Sequence, residues 1–442
     1  MTSVIVDRAS ESPSNPMRTI VLAGSIGTVI EWYDFLVYTT LAGLVLSKIF
    51  FPTTDPNVGL LAALATYAVG FLARPLGGAI FGHYGDRFGR KSMLMATMVI
   101  MGLATFAIGL LPTYKTIGFA APVILVILRI VQGIGLGGEW GGASLFVLEH
   151  APSRARGLFG SLVQIGYPLG LVLSTLAVAL VVRLSEADLL AWGWRLPFLA
   201  SAVLLFIGAF VRSRISETPV FVEMQAQQKL CQRPFVEAIT KERGSFLLAV
   251  GLKLTEVTWV YMLSVFTVLY ATTKLGLSKS LILDAVLYAA LLELITIPFF
   301  GWLSDHIGRR ILFILGALFT IGFAFPFFWM IQTKSPAMVV TAIIIAMNFG
   351  HGMMFALEST YFPELFKGPV RCSGASFGFQ LSAAIGGGLA PIIATGIVGQ
   401  SATTVVVSLM LVVIALVTLF SALKAKETRD ADLSGEEGEL PA

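Results

Sequence analysis

The sequence predicts an all-α polytopic membrane protein, twelve transmembrane helices in two six-helix halves, and three observations predict it. Of 442 residues, 56% are hydrophobic and only 13% charged, where an average soluble domain carries about 25% charged residues; an ordinary soluble enzyme is excluded. Apolar stretches recur from Thr19 to Leu423, each long enough to cross about 30 Å of hydrocarbon. They lack the alternating polar and apolar decads of an outer-membrane barrel. A segment near Asp86 recurs near Asp305, displaced by 219 residues, which marks two related halves.

The spans are expected near 19–47, 58–82, 92–111, 119–149, 156–182, 195–213, 244–273, 280–302, 311–331, 336–361, 370–398 and 402–423. The polar residues 1–18 have neither an apolar core nor a small-residue cleavage site, so the first span is expected to stay uncleaved. Placing both tails and every even-to-odd loop on one side collects 20 of the 30 Lys and Arg residues there, against 7 on the other. By the positive-inside rule that side is cytoplasmic, and a bacterial plasma membrane is the expected location. The first six-helix domain then covers 19–214, a cytoplasmic linker 215–243, the second domain 244–423 and a disordered, acidic tail 424–442. Cys231 and Cys372, the only cysteines, both fall on the reducing side, which excludes a disulfide framework. The net charge of +4 is spread over many loops and assigns no nucleic-acid partner.

The repeated segment runs Gly82-His-Tyr-Gly-Asp86-Arg87-Phe-Gly89-Arg90-Lys91 in the first half and Gly301-Trp-Leu-Ser-Asp305-His306-Ile-Gly308-Arg309-Arg310 in the second. Its glycines permit a tight turn and close helix approach, and each aspartate can meet an opposing helix N-terminus or a basic partner. Gly82, Asp86, Arg87, Gly89, Arg90, Asp305, Gly308 and Arg309 are the expected conformational latch, although the basic residues can equally serve topology alone. This loop resembles the signature of the major facilitator superfamily. Glu31-Trp-Tyr-Asp34-Phe, Arg74-Pro-Leu-Gly-Gly and the span from Leu128-Arg129 through Gly141-Gly142-Ala resemble, within it, the metabolite:proton symporter family. Lys253-Leu-Thr-Glu256, Asn348-Phe-Gly-His351 and Gln380 with Gly386-Gly-Gly388 are most similar to its shikimate transporter branch. Against that branch, Lys253 replaces an expected Arg and Glu358 an expected neutral amide.

Polar residues inside spans are costly in hydrocarbon and point to function. Glu31, Asp34 and Tyr38 share one helical face, expected to line the central cavity. Neighbouring buried carboxylates suit proton binding near neutral pH, so Asp34, with Glu31 and Glu139 behind it, is the expected proton carrier; the alternative for Asp34 and Glu31 is a structural ion pair with Arg74 or Arg129. Arg129 and Gln132, one turn apart, form a fork and an amide suited to one ligand carboxylate. Glu139, two turns beyond Gln132, can alternatively neutralise Arg129. Lys253 and Glu256 are either an ion pair or partners that a substrate exchanges. Asn348 and His351 fall on one stripe of span ten as hydroxyl contacts, while Gln164 and Gln380 are further wall candidates. Glu293 has no assigned place. The glycines of span four read as helix packing surface. Pro168, Pro298 and Pro326 are kink candidates.

No metal-ligand motif or activated nucleophile appears, so no metal, no cofactor besides the proton and no enzymatic activity are expected. The expected function is proton-coupled import of a small organic anion, shikimate or a similar hydroxylated or aromatic carboxylate, by a monomer in membrane lipid. The alternatives are symport of dicarboxylates such as 2-oxoglutarate or of zwitterions such as proline and betaine, and proton-driven drug export.

Overall fold

The computed structural model describes residues 16–52, 56–401, 403–431 and 433. The first fifteen residues of the N-terminal tail and the acidic end, 434–442, lie outside the described residues. Twelve helices carry the fold: α1 Met17–Phe50, α2 Pro56–Phe88, α3 Arg90–Leu110, α4 Ala120–His150, α5 Ser153–Val181, α6 Arg195–Ser213, α7 Arg243–Thr273, α8 Lys279–Ile307, α9 Arg309–Gln332, α10 Pro336–Glu364, α11 Gly368–Val398 and α12 Val405–Lys424. Eleven are long and apolar enough to span a membrane by composition, and α2, with 33 residues, completes the twelve. In such a chain the backbone satisfies its own hydrogen bonds inside each helix because lipid offers none.

Local sequence explains the irregularities. Pro168 has no N–H to return to the Gln164 carbonyl, and α5 breaks at Ile165, between Arg156–Gln164 and Gly166–Val181. Pro298 and Pro326 sit inside continuous helices. Wider π-type turns interrupt α1 at Ala42–Leu46, α7 at Met262–Phe266, α10 at Ala346–Gly352 and α11 at Ala383–Leu389. The first two occupy corresponding places in the two halves. Gly89 and Gly308 separate α2 from α3 and α8 from α9 with φ of 103° and 102°, a backbone conformation that disfavours any side chain.

Within the first half α2 lies against α4 so closely that a Cβ on Gly133 would stand 2.9 Å from the Gly70 carbonyl carbon, in line with a packing role for these glycines. In the second half α12 packs on α7 and α9. Between the halves, α2 and α4 meet α11, α5 meets α8 and α10, and α10 also touches α4. The segment 215–243 is not plain coil: it forms short helices Pro219–Ala226, capped by the Thr218 hydroxyl, and Pro234–Thr240.

The expectation of a disordered C-terminal tail is corrected over its described part. Glu427 accepts from the Arg309 and Arg310 amides at 2.9 and 3.0 Å, Thr428 donates to Glu364, Tyr361 donates to the Lys426 carbonyl and Arg156 to that of Ala431. Low complexity did not reveal these partners, since each lies in another helix.

Candidate functional site

Where α1, α2, α7, α10 and α11 converge, the two halves enclose a narrow cavity of about 20 Å³, room for about one water molecule. Arg74 on α2 forms its charged wall on the first half. The residue is 3% exposed and its guanidinium lies between the Phe35 and Phe71 rings, 4.5 and 4.3 Å from their centroids; Nε and Nη2 have no hydrogen-bond partner, and Arg74 makes no ion pair among the described residues. Flat aromatic faces hold a cation by their quadrupole and leave its edge free to donate. Trp32 is the α1 residue at the cavity.

The second half meets it with Lys253, Glu256 and His351. Lys253 Nζ lies 2.6 Å from Glu256 and 2.7 Å from Glu358, and 3.6 Å from the Phe379 ring centroid. His351 Nδ1 is 2.6 Å from Glu256 Oε1, in contact without a linear hydrogen bond, and Nε2 is 3.6 Å from Glu293 Oε1.

Two layers close the cavity. On the side of the 215–243 linker, Trp140 stacks on Phe379 at 3.7 Å, Gln164 accepts from Trp140 Nε1 and donates to the Phe355 carbonyl, and Gln380 donates to the Gly137 carbonyl. On the opposite side Phe71 meets Tyr261 edge-on at 5.2 Å. Gln164 and Gln380 are thus bonds between the halves rather than cavity walls.

Other expected site residues stand deeper. Asp34, Gln132 and Arg129 form a chain inside the first half: Thr105 Oγ1 donates to Asp34 at 2.6 Å, Gln132 donates to Thr105 at 2.5 Å, and Arg129 donates to Gln132 at 2.6 Å. Arg129 also covers the Tyr38 ring at 3.9 Å, and the Tyr38 hydroxyl bonds to Thr66. The expectation that the face of Glu31, Asp34 and Tyr38 lines the cavity is corrected for Asp34 and Tyr38, whose polar groups find partners on α2, α3 and α4, while Trp32 stands at the cavity. Asp34 Oδ1 and Glu31 Oε2 remain without hydrogen-bond partners. Glu139 does not neutralise Arg129; it is ion-paired with Arg212, accepts from Thr97 at 2.7 Å, and Arg212 also reaches the carbonyls of Ala23 and Leu94. That pair ties α6 to α1, α3 and α4, so its charge is already matched within the half. Asn348 likewise bonds Thr296 at 2.6 Å and the Ile344 carbonyl, joining α10 to α8.

The repeated loops join the halves on the linker side. Asp86 accepts from the amides of Cys372 and Ser373 and the Ser373 hydroxyl at 3.2, 2.9 and 2.8 Å, at the start of α11. Asp305 accepts from the Gly157 and Leu158 amides at 2.8 and 2.9 Å, at the start of α5. Both are anions at helix N-termini, where unsatisfied amides favour them. Gly82 lets α2 approach, since a Cβ there would meet Ser373 Cα at 2.8 Å. Behind each aspartate stands a buried arginine and a second acid: Arg90 between Asp86 and Glu149, Arg309 between Asp305 and Glu364. Glu217 caps the Arg90 and Lys91 amides as Glu427 caps those of Arg309 and Arg310. Arg87 is exposed on the Phe88 ring and stands off the contact, and His306, its counterpart, is exposed too. Their difference therefore leaves both aspartate contacts in place.

Sequence reasoning left Arg74 as an unexplained charge and passed over Glu149, Glu364, Glu217 and Glu427. The signal for the last two was present: each precedes a Thr near the end of its half.

Comparison with known proteins agrees with this architecture. The Major Facilitator Superfamily model matches residues 24–379. A shikimate transporter of Escherichia coli is 42% identical over 86% of this chain and 88% of its own, and a proline/betaine transporter of the same organism 36% over 95% and 85%. The solved proton:xylose symporter XylE, bound to 6-bromo-6-deoxy-D-glucose, superposes with a TM-score of 0.76 at 17% identity, covering 95% of this chain and 98% of that one. With its two sets of six helices, its aspartate-bearing loops and these relatives, the chain belongs to the major facilitator superfamily and is a multi-pass membrane transporter of metabolites, not an enzyme.

Proposed function

We propose that this chain imports a small organic monocarboxylate, shikimate or a similarly hydroxylated or aromatic acid, together with protons. The observation that carries the reading is Arg74, a buried guanidinium held between two rings with donors free toward the cavity. Lys253 already faces two carboxylates, which leaves one uncommitted cation at the cavity and favours a monocarboxylate over a dicarboxylate. The charged lining of the cavity does not suit the large apolar ligands of a drug exporter. The 42% identity to a shikimate transporter supports the substrate class.

In this reading the anion enters from the face opposite the linker, the outer face by the positive charge distribution, once the Phe71–Tyr261 contact parts. Its carboxylate takes the Arg74 edge, and its hydroxyls or ring meet Trp32, His351 and Phe355. Asp34, joined to Arg129 through Thr105 and Gln132, carries the proton in the first half. Release inward requires the Asp86 and Asp305 contacts to open, so the halves rock about the site. No cofactor besides the proton takes part.

The test is uptake of radiolabelled shikimate into proteoliposomes under an inward proton gradient, with unlabelled proline, glycine betaine and 2-oxoglutarate as competitors. Gradient-dependent accumulation that only hydroxylated or aromatic acids inhibit is the expected result. Inhibition by betaine alone would favour the second reading, a zwitterion, for which the aromatic residues and Glu256 supply a cation site.

A further inference from the structure

Glu293 is a charged residue at the level of the cavity that has no role in the transport cycle proposed for this chain. It lies on α8, fully buried, and neither carboxylate oxygen has a hydrogen-bond donor. Its only ion-pair contact among the described residues is His351 Nε2 at 3.6 Å. Around it on neighbouring helices are His351 on α10, Glu256 on α7 behind that imidazole, itself paired with Lys253, which also holds Glu358, and Tyr167 on α5 of the opposite half, whose ring stands edge-on to His351 at 5.3 Å. Gly352 lets α10 press against it, since a Cβ there would stand 3.1 Å from Glu293 Oε1.

Within the second half, charge counting closes only with an added proton. Three carboxylates, Glu256, Glu293 and Glu358, face one ammonium and one imidazole. Even with His351 a cation, one negative charge remains, and the acid without a donor is Glu293. An isolated carboxylate in a buried, low-dielectric site neutralises by taking up a proton.

We propose that Glu293 is a second proton-binding site, in the second half of the transporter, that exchanges its proton with the cavity through His351. This rests on the proton-coupled reading above and adds a site to it. The step is balanced, with His351 starting as the neutral Nδ1–H tautomer: once the 3.6 Å gap between Glu293 and Nε2 closes to hydrogen-bond distance, the Glu293 carboxyl gives its proton to His351 Nε2, and His351 gives its Nδ1 proton to Glu256 Oε1, 2.6 Å away. Glu293 ends as carboxylate, His351 as the other neutral tautomer and Glu256 as the acid, which loosens Glu256 from Lys253. Lys253 then keeps Glu358 alone as its acid, 2.7 Å away. Tyr167 touches the same imidazole from the other half, so the transfer is sensed across the domain interface.

Two measurements test it on the purified, full-length transporter. Infrared difference spectra between acid and alkaline pH, recorded without substrate, should contain the carbonyl stretch of a buried carboxylic acid that disappears in Glu293→Gln. In proteoliposomes loaded with shikimate, wild-type exchange should vary with pH and Glu293→Gln should flatten that profile and lower gradient-driven accumulation about tenfold. Should Glu293→Gln not fold, Glu293→Asp replaces it, and a shifted midpoint of the exchange profile is the expected result. An unchanged carbonyl band and pH profile in the Glu293 variant, beside a pH-dependent wild type, overturns this site alone. A wild type with no pH dependence and no proton-driven uptake overturns the coupling itself, while the infrared band still reports whether Glu293 titrates.

Discussion

Across the cavity the two halves present cations in opposite states. Arg74 is wrapped by two phenyl rings and makes no ion pair among the described residues, whereas Lys253 is gripped by Glu256 and Glu358 at 2.6 and 2.7 Å. The halves repeat each other closely at the linker face, where aspartate, arginine and glutamate recur on equivalent helices, and part company at the level of the cavity. Structural devices can be duplicated because both halves must close the same way. A site for one asymmetric solute cannot be, because its carboxylate has one end to bind and its proton needs an acid elsewhere.

The largest expected effect separates these two cations. Arg74→Ala should lower kcat/KM for uptake by about 100-fold, the worth of a desolvated charge-assisted contact, with a smaller fall in melting temperature than Lys253→Met, since Arg74 makes no ion pair among the described residues. Lys253→Met should instead destabilise the fold by about 3–5 kcal/mol, as it strands two acids, and Glu358→Gln in the same chain should recover part of the loss. Normal uptake by Arg74→Ala would reverse the division of labour between the halves; a thermal melt and an uptake assay on the same preparations decide it.

Next in size is the proton. Asp34→Asn should keep exchange of labelled for unlabelled substrate yet fail to concentrate it, so that accumulation under a gradient falls to equilibrium. Concentrative uptake by this variant would move the coupling site wholly into the second half.

The linker-face contacts come third. Asp86 accepts three hydrogen bonds and Asp305 two, so Asp86→Asn should open that face more than Asp305→Asn, by about tenfold in the open-to-closed ratio. Cys372, buried at the Asp86 contact, is a native reporter: its alkylation rate should rise, with the half-buried Cys231 as reference. The smallest effect is expected of Arg87→Ala and His306→Ala, less than about twofold on transport, because surface residues away from such contacts change little. A large loss in either would mean the exposed position of the side chain is not the one used in the cycle.

Much of the architecture was legible in the chain. Span positions follow from apolar length, and Asp86 and Asp305 stood out because a repeated loop with fixed glycines is visible without a structure. Helical spacing already offered Lys253 and Glu256 as a pair and a polar stripe on α10 turned His351 inward, but that the imidazole meets Glu256 could not be read from either helix alone. Arg129 and Arg74 show where the reading stops. Both are arginines inside spans, and Arg129 with Gln132 one turn away had the better local pattern for a carboxylate. That pattern turned out to serve the inside of the first half, because Tyr38 and Thr105 wait there on α1 and α3.

By itself, then, the sequence determined that the protein is a polytopic helical membrane protein, that its two halves are related, and which residues would be costly to leave alone in lipid. These are consequences of hydrophobic length, loop charge and local spacing, all of which act along the chain. Which buried charge meets which, and so which arginine is left free at the cavity and which acid has no donor, was decided only by tertiary packing. The partners sit on different helices, and a helix rotated by one residue, about 100°, would exchange a cavity wall for a structural contact without changing its composition.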